Sequence, residues 1–205
     1  MNTIFRTAAA VLLTVCLIVS GGLCMAGEQS ELGKTLILYY SHTGNTKAAC
    51  EVLQKELGAD IQEIRDLKAR DKGFGMIAGM LKTILGMQTD IEPETVDFGS
   101  YDTLIIAAPI WASKFGLAMR TFVERNDFEG KPVIIFITAD SYVDEKYQNK
   151  HTALVEASGG TVAGHFQVHA TDEAGGEKVP RSKEKIGEET LKLLPGIKAC
   201  ITGKN

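Results

Sequence analysis

Six consecutive residues of this chain have types that bind anions: Ser41, His42, Thr43, Gly44, Asn45 and Thr46. They follow the apolar run 35–40, which predicts a buried strand, and a helix is predicted to begin at Asn45. Hydroxyls and backbone N–H groups at a helix N-terminus bind phosphate, because the helix dipole favours negative charge there. This 41–46 loop contains no Lys or Arg, so neutral donors would hold the phosphate. The alternative is an ordinary strand-to-helix turn with an N-cap.

Two common phosphate-binding motifs do not match the 41–46 loop. A nucleoside-triphosphate loop requires G-x-x-x-x-G-K-S/T and a dinucleotide-binding turn requires G-x-G-x-x-G, whereas this loop has only Gly44. Residues 37–46 instead resemble the flavin mononucleotide (FMN) loop of the flavodoxins, in which two aliphatic residues and an aromatic one precede a Ser/Thr-rich turn. Further along that pattern Leu53 fits, and Cys50 stands where Ala is expected. The resemblance implies non-covalently bound FMN that carries one or two electrons.

Two later loops extend this resemblance to the flavin ring. Pro109, Ile110 and Trp111 follow the third predicted strand and are similar to the Pro-x-Trp loop of shorter flavodoxin-family proteins. The resemblance implies that Trp111 stacks on the ring, and the alternative is an aromatic lid packed on the next helix. The loop after the fourth strand supplies a second aromatic in flavodoxins, or else forms a surface turn. Its candidate residues are Ala139, Asp140 and Tyr142.

Apolar runs and helical patterns alternate along the chain, which is typical of a parallel sheet. Strands are predicted over 35–40, 60–64, 103–108, 133–138 and 161–168, and helices over 45–57, 76–85, 116–125, 144–158 and 182–194. This order suits a flavodoxin-like α/β fold: a doubly wound five-stranded parallel sheet, order 2-1-3-4-5, flanked by helices on both faces. A response-regulator receiver domain is excluded, because Tyr40 and Ser41 stand where its acidic pair would be.

The second predicted helix carries apolar residues at helical spacing, interrupted by glycines. These apolar residues are Phe74, Ile77, Met80, Leu81, Ile84 and Leu85. The pattern predicts a helix that packs on the sheet. A flexible flap beside the flavin or a partner surface are the alternatives.

The ends of the 205-residue chain lie outside the predicted domain at 35–195. Residues 1–26 have the pattern of a secretory signal peptide, with Arg6, an apolar run over 8–19 and small residues at Cys24 and Ala26. An uncut membrane anchor over 7–26 is the alternative. Residues 27–34 and 196–205 are predicted to be short tails. Cys50 and Cys200 could pair in a periplasmic compartment, but a core Cys50 and a free tail thiol at Cys200 are the favoured interpretation.

Net charge and the absence of catalytic motifs in the sequence reduce the number of possible functions. A formal net charge of −4 argues against a nucleic-acid partner, and the sequence predicts no catalytic nucleophile–base pair and no metal ligands. We therefore expect an exported FMN-binding electron-transfer protein that serves a redox partner protein or a small-molecule acceptor. Membrane contact would occur only through an uncleaved N-terminal segment. An NAD(P)H-dependent FMN quinone or acceptor reductase, and a non-redox binding domain without flavin, are the alternatives.

Overall fold

The computed structural model of the chain describes residues 32–68 and 74–203, so the predicted signal segment lies outside the described residues. The elements are, in chain order, β1 (Thr35–Tyr39), α1 (Asn45–Leu57), β2 (Asp60–Glu63), β3 (Arg65–Asp66), α2 (Phe74–Ile84), β4 (Ile91–Glu92), β5 (Thr103–Trp111), β6 (Lys114–Phe115), α3 (Leu117–Arg125), β7 (Pro132–Ala139), α4 (Glu145–Ala157), β8 (Thr161–His169), β9 (Thr171–Ala174), β10 (Glu177–Pro180) and α5 (Lys183–Thr202).

Five parallel strands form the central sheet in the order β2-β1-β5-β7-β8, which confirms the predicted flavodoxin-like architecture. All five residues of β1 are buried, because a central parallel strand is covered by helices on both faces. In register, Ile37 of β1 lies between Ile61 of β2 and Ile105 of β5. The strand order reverses beside β1, and the carboxyl ends of the strands there open onto a ligand crevice in such sheets.

Each face of the sheet has its own apolar core. On one face α1 and α5 contribute Leu53 and Ile197, and on the other α3 and α4 contribute Phe122 and Val155. All four side chains are fully buried. Their burial fixes the helices that begin or end next to the strand ends, and therefore positions the loops between them.

Helix α5 is longer than predicted. The sequence predicts its end at Leu194, before Pro195, because proline lacks the amide hydrogen that a helix interior needs. The helix instead continues to Thr202, since Ile197 is buried against the sheet and stabilises the last turns. The predicted tail beginning at residue 196 is therefore helical as far as Thr202. Cys200 lies in this helix and packs beside the core, so its interpretation as a tail thiol is wrong.

Helix α2 does not pack on the sheet, and this part of the prediction is wrong. It packs against α3 and β6, while five apolar side chains are between 40% and 64% exposed: Ile77, Met80, Leu81, Ile84 and Leu85. Lys114 of β6 donates from Nζ to the carbonyl oxygens of Thr83 at 3.3 Å and Ile84 at 2.9 Å. This hydrogen bonding holds the C-terminal end of α2 beside β6, with its apolar stripe at the surface.

Cys50 is buried in α1, and within the described residues it is not joined to Cys200 by a disulfide. No cluster of three or more His, Cys, Asp or Glu side chains suited to a metal ion occurs within residues 32–68 and 74–203. In the same part of the chain, no helix combines the length and apolar character needed to cross a membrane.

Candidate functional site

A cavity of about 390 Å³ lies at the carboxyl ends of β1, β5 and β7. Its volume falls in the range of small-molecule sites. The lining includes residues from all three predicted loops: His42, Thr43, Asn45, Thr46, Pro109, Ile110, Trp111, Ala139 and Asp140. The structure adds Met80, Ala112, Thr138 and Ala170 to this lining. Three loops that are distant in sequence therefore enclose a single space.

Gly44 gives the 41–46 loop its shape. It is the N-cap of α1 with φ +83°, a left-handed conformation that glycine adopts without steric cost. A glycine N-cap has no side chain to satisfy the first-turn amides. Ser41 Oγ accepts from the amide of Lys47 at 3.2 Å. Among the described residues no acceptor is recorded for the amides of Asn45 and Thr46, so they are available to an anion.

The Thr46 hydroxyl is paired with a residue that sequence reasoning missed. Thr46 Oγ1 and Thr138 Oγ1 lie 2.8 Å apart, and both side chains are buried. Each hydroxyl carries one proton, so this bond uses one of two and leaves the other for a ligand. If Thr138 donates to Thr46, the Thr46 proton is free to point into the cavity. Thr138 could have been predicted as a site residue, because it carries a hydroxyl near the end of β7, which neighbours β5.

The loop is also contacted from the last helix. Lys183 at the start of α5 donates from Nζ to the Thr43 carbonyl oxygen at 2.9 Å and also bonds Asn45 Oδ1. Nothing in the sequence near residue 183 indicates this contact, because it depends on how α5 docks beside α1.

Trp111 lies on a hairpin rather than in the irregular loop that was predicted after residue 108. β5 runs on to Trp111 and pairs antiparallel with β6, with Trp111 opposite Lys114. The turn residues Ala112 and Ser113 have φ +47° and +63°, which non-glycine residues adopt at a steric cost. The Trp111 ring meets Tyr40 and His42 edge-on, at centroid distances of 5.9 Å and 5.5 Å. These contacts fix the indole at the cavity wall.

A buried histidine of α4 forms a hydrogen bond to the turn of this hairpin. His151 of α4 is 3% exposed and its Nε2 lies 3.1 Å from the Ser113 carbonyl oxygen. Because a carbonyl only accepts, Nε2 carries the proton. The ring stacks on Phe115 at 4.6 Å and faces His165 at 6.5 Å. Burial lowers the pKa of His151 to about 4, the Ser113 bond opposes this shift, and His165 adds slightly to it.

The third loop is held by the β9–β10 hairpin. Lys178 donates from Nζ to the Asp140 carbonyl oxygen at 3.2 Å and to Ser141 Oγ. Tyr142 is 72% exposed and lines a neighbouring depression instead of the cavity, so its stacking role stays a prediction. Asp144 accepts from the Tyr147 amide at 3.1 Å and caps α4. Of the two aspartates near this loop, only Asp140 lines the cavity.

Comparison with known proteins assigns the chain to a family. The family model described as flavodoxin matches residues 34–166, more than half of the chain, so the protein belongs to the flavodoxin family. Flavodoxin 1 of Escherichia coli (strain K12) is 25% identical over 142 residues, which cover 64% of this chain and 66% of that protein. The chain thus spans slightly less than two thirds of the length of the curated relatives that it matches.

Two solved structures share this fold. The flavoprotein in complex with FMN from Lactobacillus acidophilus NCFM has a TM-score of 0.58 and 24% identity, covering 66% of this chain and 93% of that one. A protein of Bacteroides uniformis ATCC 8492 also has a TM-score of 0.58 and 24% identity, covering 76% and 96% of the two chains. At this identity the likeness concerns the fold.

Proposed function

We propose that this chain is an exported FMN-binding flavodoxin that transfers electrons to a redox partner protein or a small-molecule acceptor. Membership of the flavodoxin family supports FMN as the cofactor. FMN supplies the redox chemistry, because it accepts and releases one or two electrons, while the protein binds it and tunes it.

The single observation that carries this proposal is the shape of the cavity. It joins a turn with available amides and hydroxyls to the chain's one tryptophan. These are the two chemistries that FMN requires, an anion site for its phosphate and a flat aromatic surface for its ring.

The residues of the cavity fit the two ends of FMN. The amides of Asn45 and Thr46, with the Thr46 hydroxyl, would hold the phosphate at the start of α1. Trp111 and Ile110 would contact the ring, and the Asp140 carboxylate beside it would disfavour a negative charge on the reduced ring.

An NAD(P)H-dependent reductase is the second candidate function. A hydride donor needs one open face of the flavin. Tyr142, the residue expected to cover that face, is 72% exposed and turned to the neighbouring depression. This position favours an accessible ring and keeps the reductase as an alternative to the carrier.

The export part of the proposal rests on residues 1–26 alone. A basic residue, an apolar run over 8–19 and small residues at Cys24 and Ala26 support cleavage before Gly27 in a periplasmic setting. Intact-mass measurement of the protein purified from its host tests this directly. A mature chain that begins at Gly27 is expected, and an intact Met1 would favour the uncut anchor.

The cofactor assignment is tested by titrating FMN into the purified protein and then adding NADPH. The flavin absorption bands should shift on binding. Bleaching by NADPH alone would favour the reductase, and its absence the carrier.

Thr46→Ala should weaken FMN binding about tenfold or more, since it removes a hydrogen bond to a charged group. Thr95→Ala, at an exposed position outside the cavity, is the matched control. If FMN does not bind, the non-redox binding domain is the remaining alternative.

A further inference from the structure

Lys183 places a positive charge on a loop whose own sequence has none. Its Nζ donates to the Thr43 carbonyl oxygen at 2.9 Å and bonds Asn45 Oδ1. A Cβ built on Gly44 would lie 3.4 Å from the same nitrogen. The ammonium group therefore lies directly over Thr43, Gly44 and Asn45 of the 41–46 loop.

The bond to Thr43 orients the next amide of the loop. The Thr43–Gly44 peptide is trans, so its carbonyl and its N–H point in opposite directions. Because the carbonyl points to Lys183, the Gly44 N–H points away from the ammonium group. That N–H can then donate to an anion held inside the loop.

The bond to Asn45 orients a second donor. A carboxamide has an acceptor oxygen and an NH2 group with two donors. Lys183 occupies the oxygen of Asn45, so the NH2 group is turned away from the lysine. Asn45 also lines the cavity, and its NH2 group is therefore available to an anionic ligand there.

Lys183 is an exposed residue whose ammonium group lies against the 41–46 loop. Burial lowers the pKa of Lys183, which indicates that the ammonium group has lost part of its hydration. A phosphate in the loop would carry close to two negative charges at neutral pH. Attraction between charges that are partly removed from water is stronger than attraction across bulk solvent.

We propose that Lys183 is a positioning residue for the ligand phosphate: it turns the donors of Gly44 and Asn45 toward the anion and supplies the positive charge that the 41–46 loop lacks. This inference rests on the proposed function, since it concerns the phosphate of FMN. It names a binding determinant that is some 140 residues from the loop in sequence.

Comparing FMN with riboflavin, which has the same ring without the phosphate, tests this role. Binding is measured by the fluorescence of Trp111, the chain's one tryptophan, with the full chain purified as its host processes it. Lys183→Met should weaken FMN binding about tenfold, equivalent to about 1.4 kcal/mol, and leave riboflavin binding within about twofold. Lys183→Arg should restore part of the loss, since it keeps the charge.

Lys185→Met is the matched control, because it removes the same charge two residues further along α5. The Lys185 ammonium bonds Asp172 Oδ2 rather than the loop, so FMN binding should be unchanged. FMN affinity unchanged in Lys183→Met, or equal losses for FMN and riboflavin, would overturn the inference while the proposed function stands. A wild-type protein that binds neither flavin would refute the proposed function, and this inference with it.

Discussion

Protonation of His151 should destabilise the protein at acidic pH. The imidazole is 3% exposed and donates from Nε2 to the Ser113 carbonyl oxygen. Its Nδ1 is buried, and among the described residues it has no hydrogen-bond partner. The ring stacks on Phe115 and faces His165, and a positive charge on His165 would oppose protonation of His151. Burial accordingly lowers the pKa of His151 from 6.5 to about 4.

The sign of the pH effect follows from this shift. The unfolded chain binds a proton near pH 6.5, whereas folded His151 binds one only near pH 4. Its contribution to stability is therefore complete above pH 6.5 and is lost as the pH falls toward about 4. The difference corresponds to about 3 kcal/mol. That is a large part of the free energy of unfolding of a typical domain, about 5–15 kcal/mol.

The assay is urea unfolding followed by Trp111 fluorescence, from about pH 7 to about pH 4. His151→Gln is the comparison variant, because a glutamine amide can donate to the Ser113 carbonyl but does not titrate. The wild type should lose about 3 kcal/mol more than the variant over this range. Groups that titrate in both proteins without interacting with His151 cancel in the difference.

Parallel pH profiles for the two proteins would refute the reasoning. They would mean that His151 is hydrated, or protonated at no cost, in the folded state. A variant that is less stable by the same amount at every pH would show only the structural cost of the substitution.

Three further predictions concern the cavity and the fold. Thr138→Val should weaken FMN binding about fivefold, because Thr46 loses a hydrogen-bond partner; unchanged affinity in an FMN titration would exclude this coupling. Ser113→Gly should raise the free energy of urea unfolding by about 0.5–1 kcal/mol, since glycine adopts φ +63° without strain; a decrease would contradict the hairpin geometry. Leu53 is fully buried, so Leu53→Ala should lower the free energy of unfolding by about 3 kcal/mol. Leu81 is 53% exposed, so Leu81→Ala should lower it by less than about 0.5 kcal/mol. Equal losses for the two variants would contradict the exposed position of the apolar side chains of α2.

The fold could be predicted from the sequence because the patterns that indicate its strands and helices are local. The run 104–108 is uninterrupted apolar sequence, as expected for a strand covered on both faces, and the predicted bounds of α1 agree with those observed. The lining of the cavity by Thr46 and Trp111 followed from the same logic, since carboxyl ends of neighbouring parallel strands meet at one edge.

What the sequence did not predict depends on contacts between distant segments. The helical spacing of the apolar residues in α2 correctly predicted a helix, but it did not predict which direction those residues face. Their orientation depends on Lys114 and Arg120, which donate hydrogen bonds to the last carbonyl groups of α2. The hairpin after Trp111 uses Ala112 and Ser113 at positive φ, where turn preferences would favour Asn or Gly.

The most direct test of FMN binding in this cavity is a titration of the purified protein with FMN, in which flavin absorption and Trp111 fluorescence are measured together. The account predicts saturable binding of one FMN per chain, shifted absorption bands and quenched tryptophan emission, because ring and indole share the cavity. Absence of binding, or binding that leaves Trp111 emission unchanged, would contradict it.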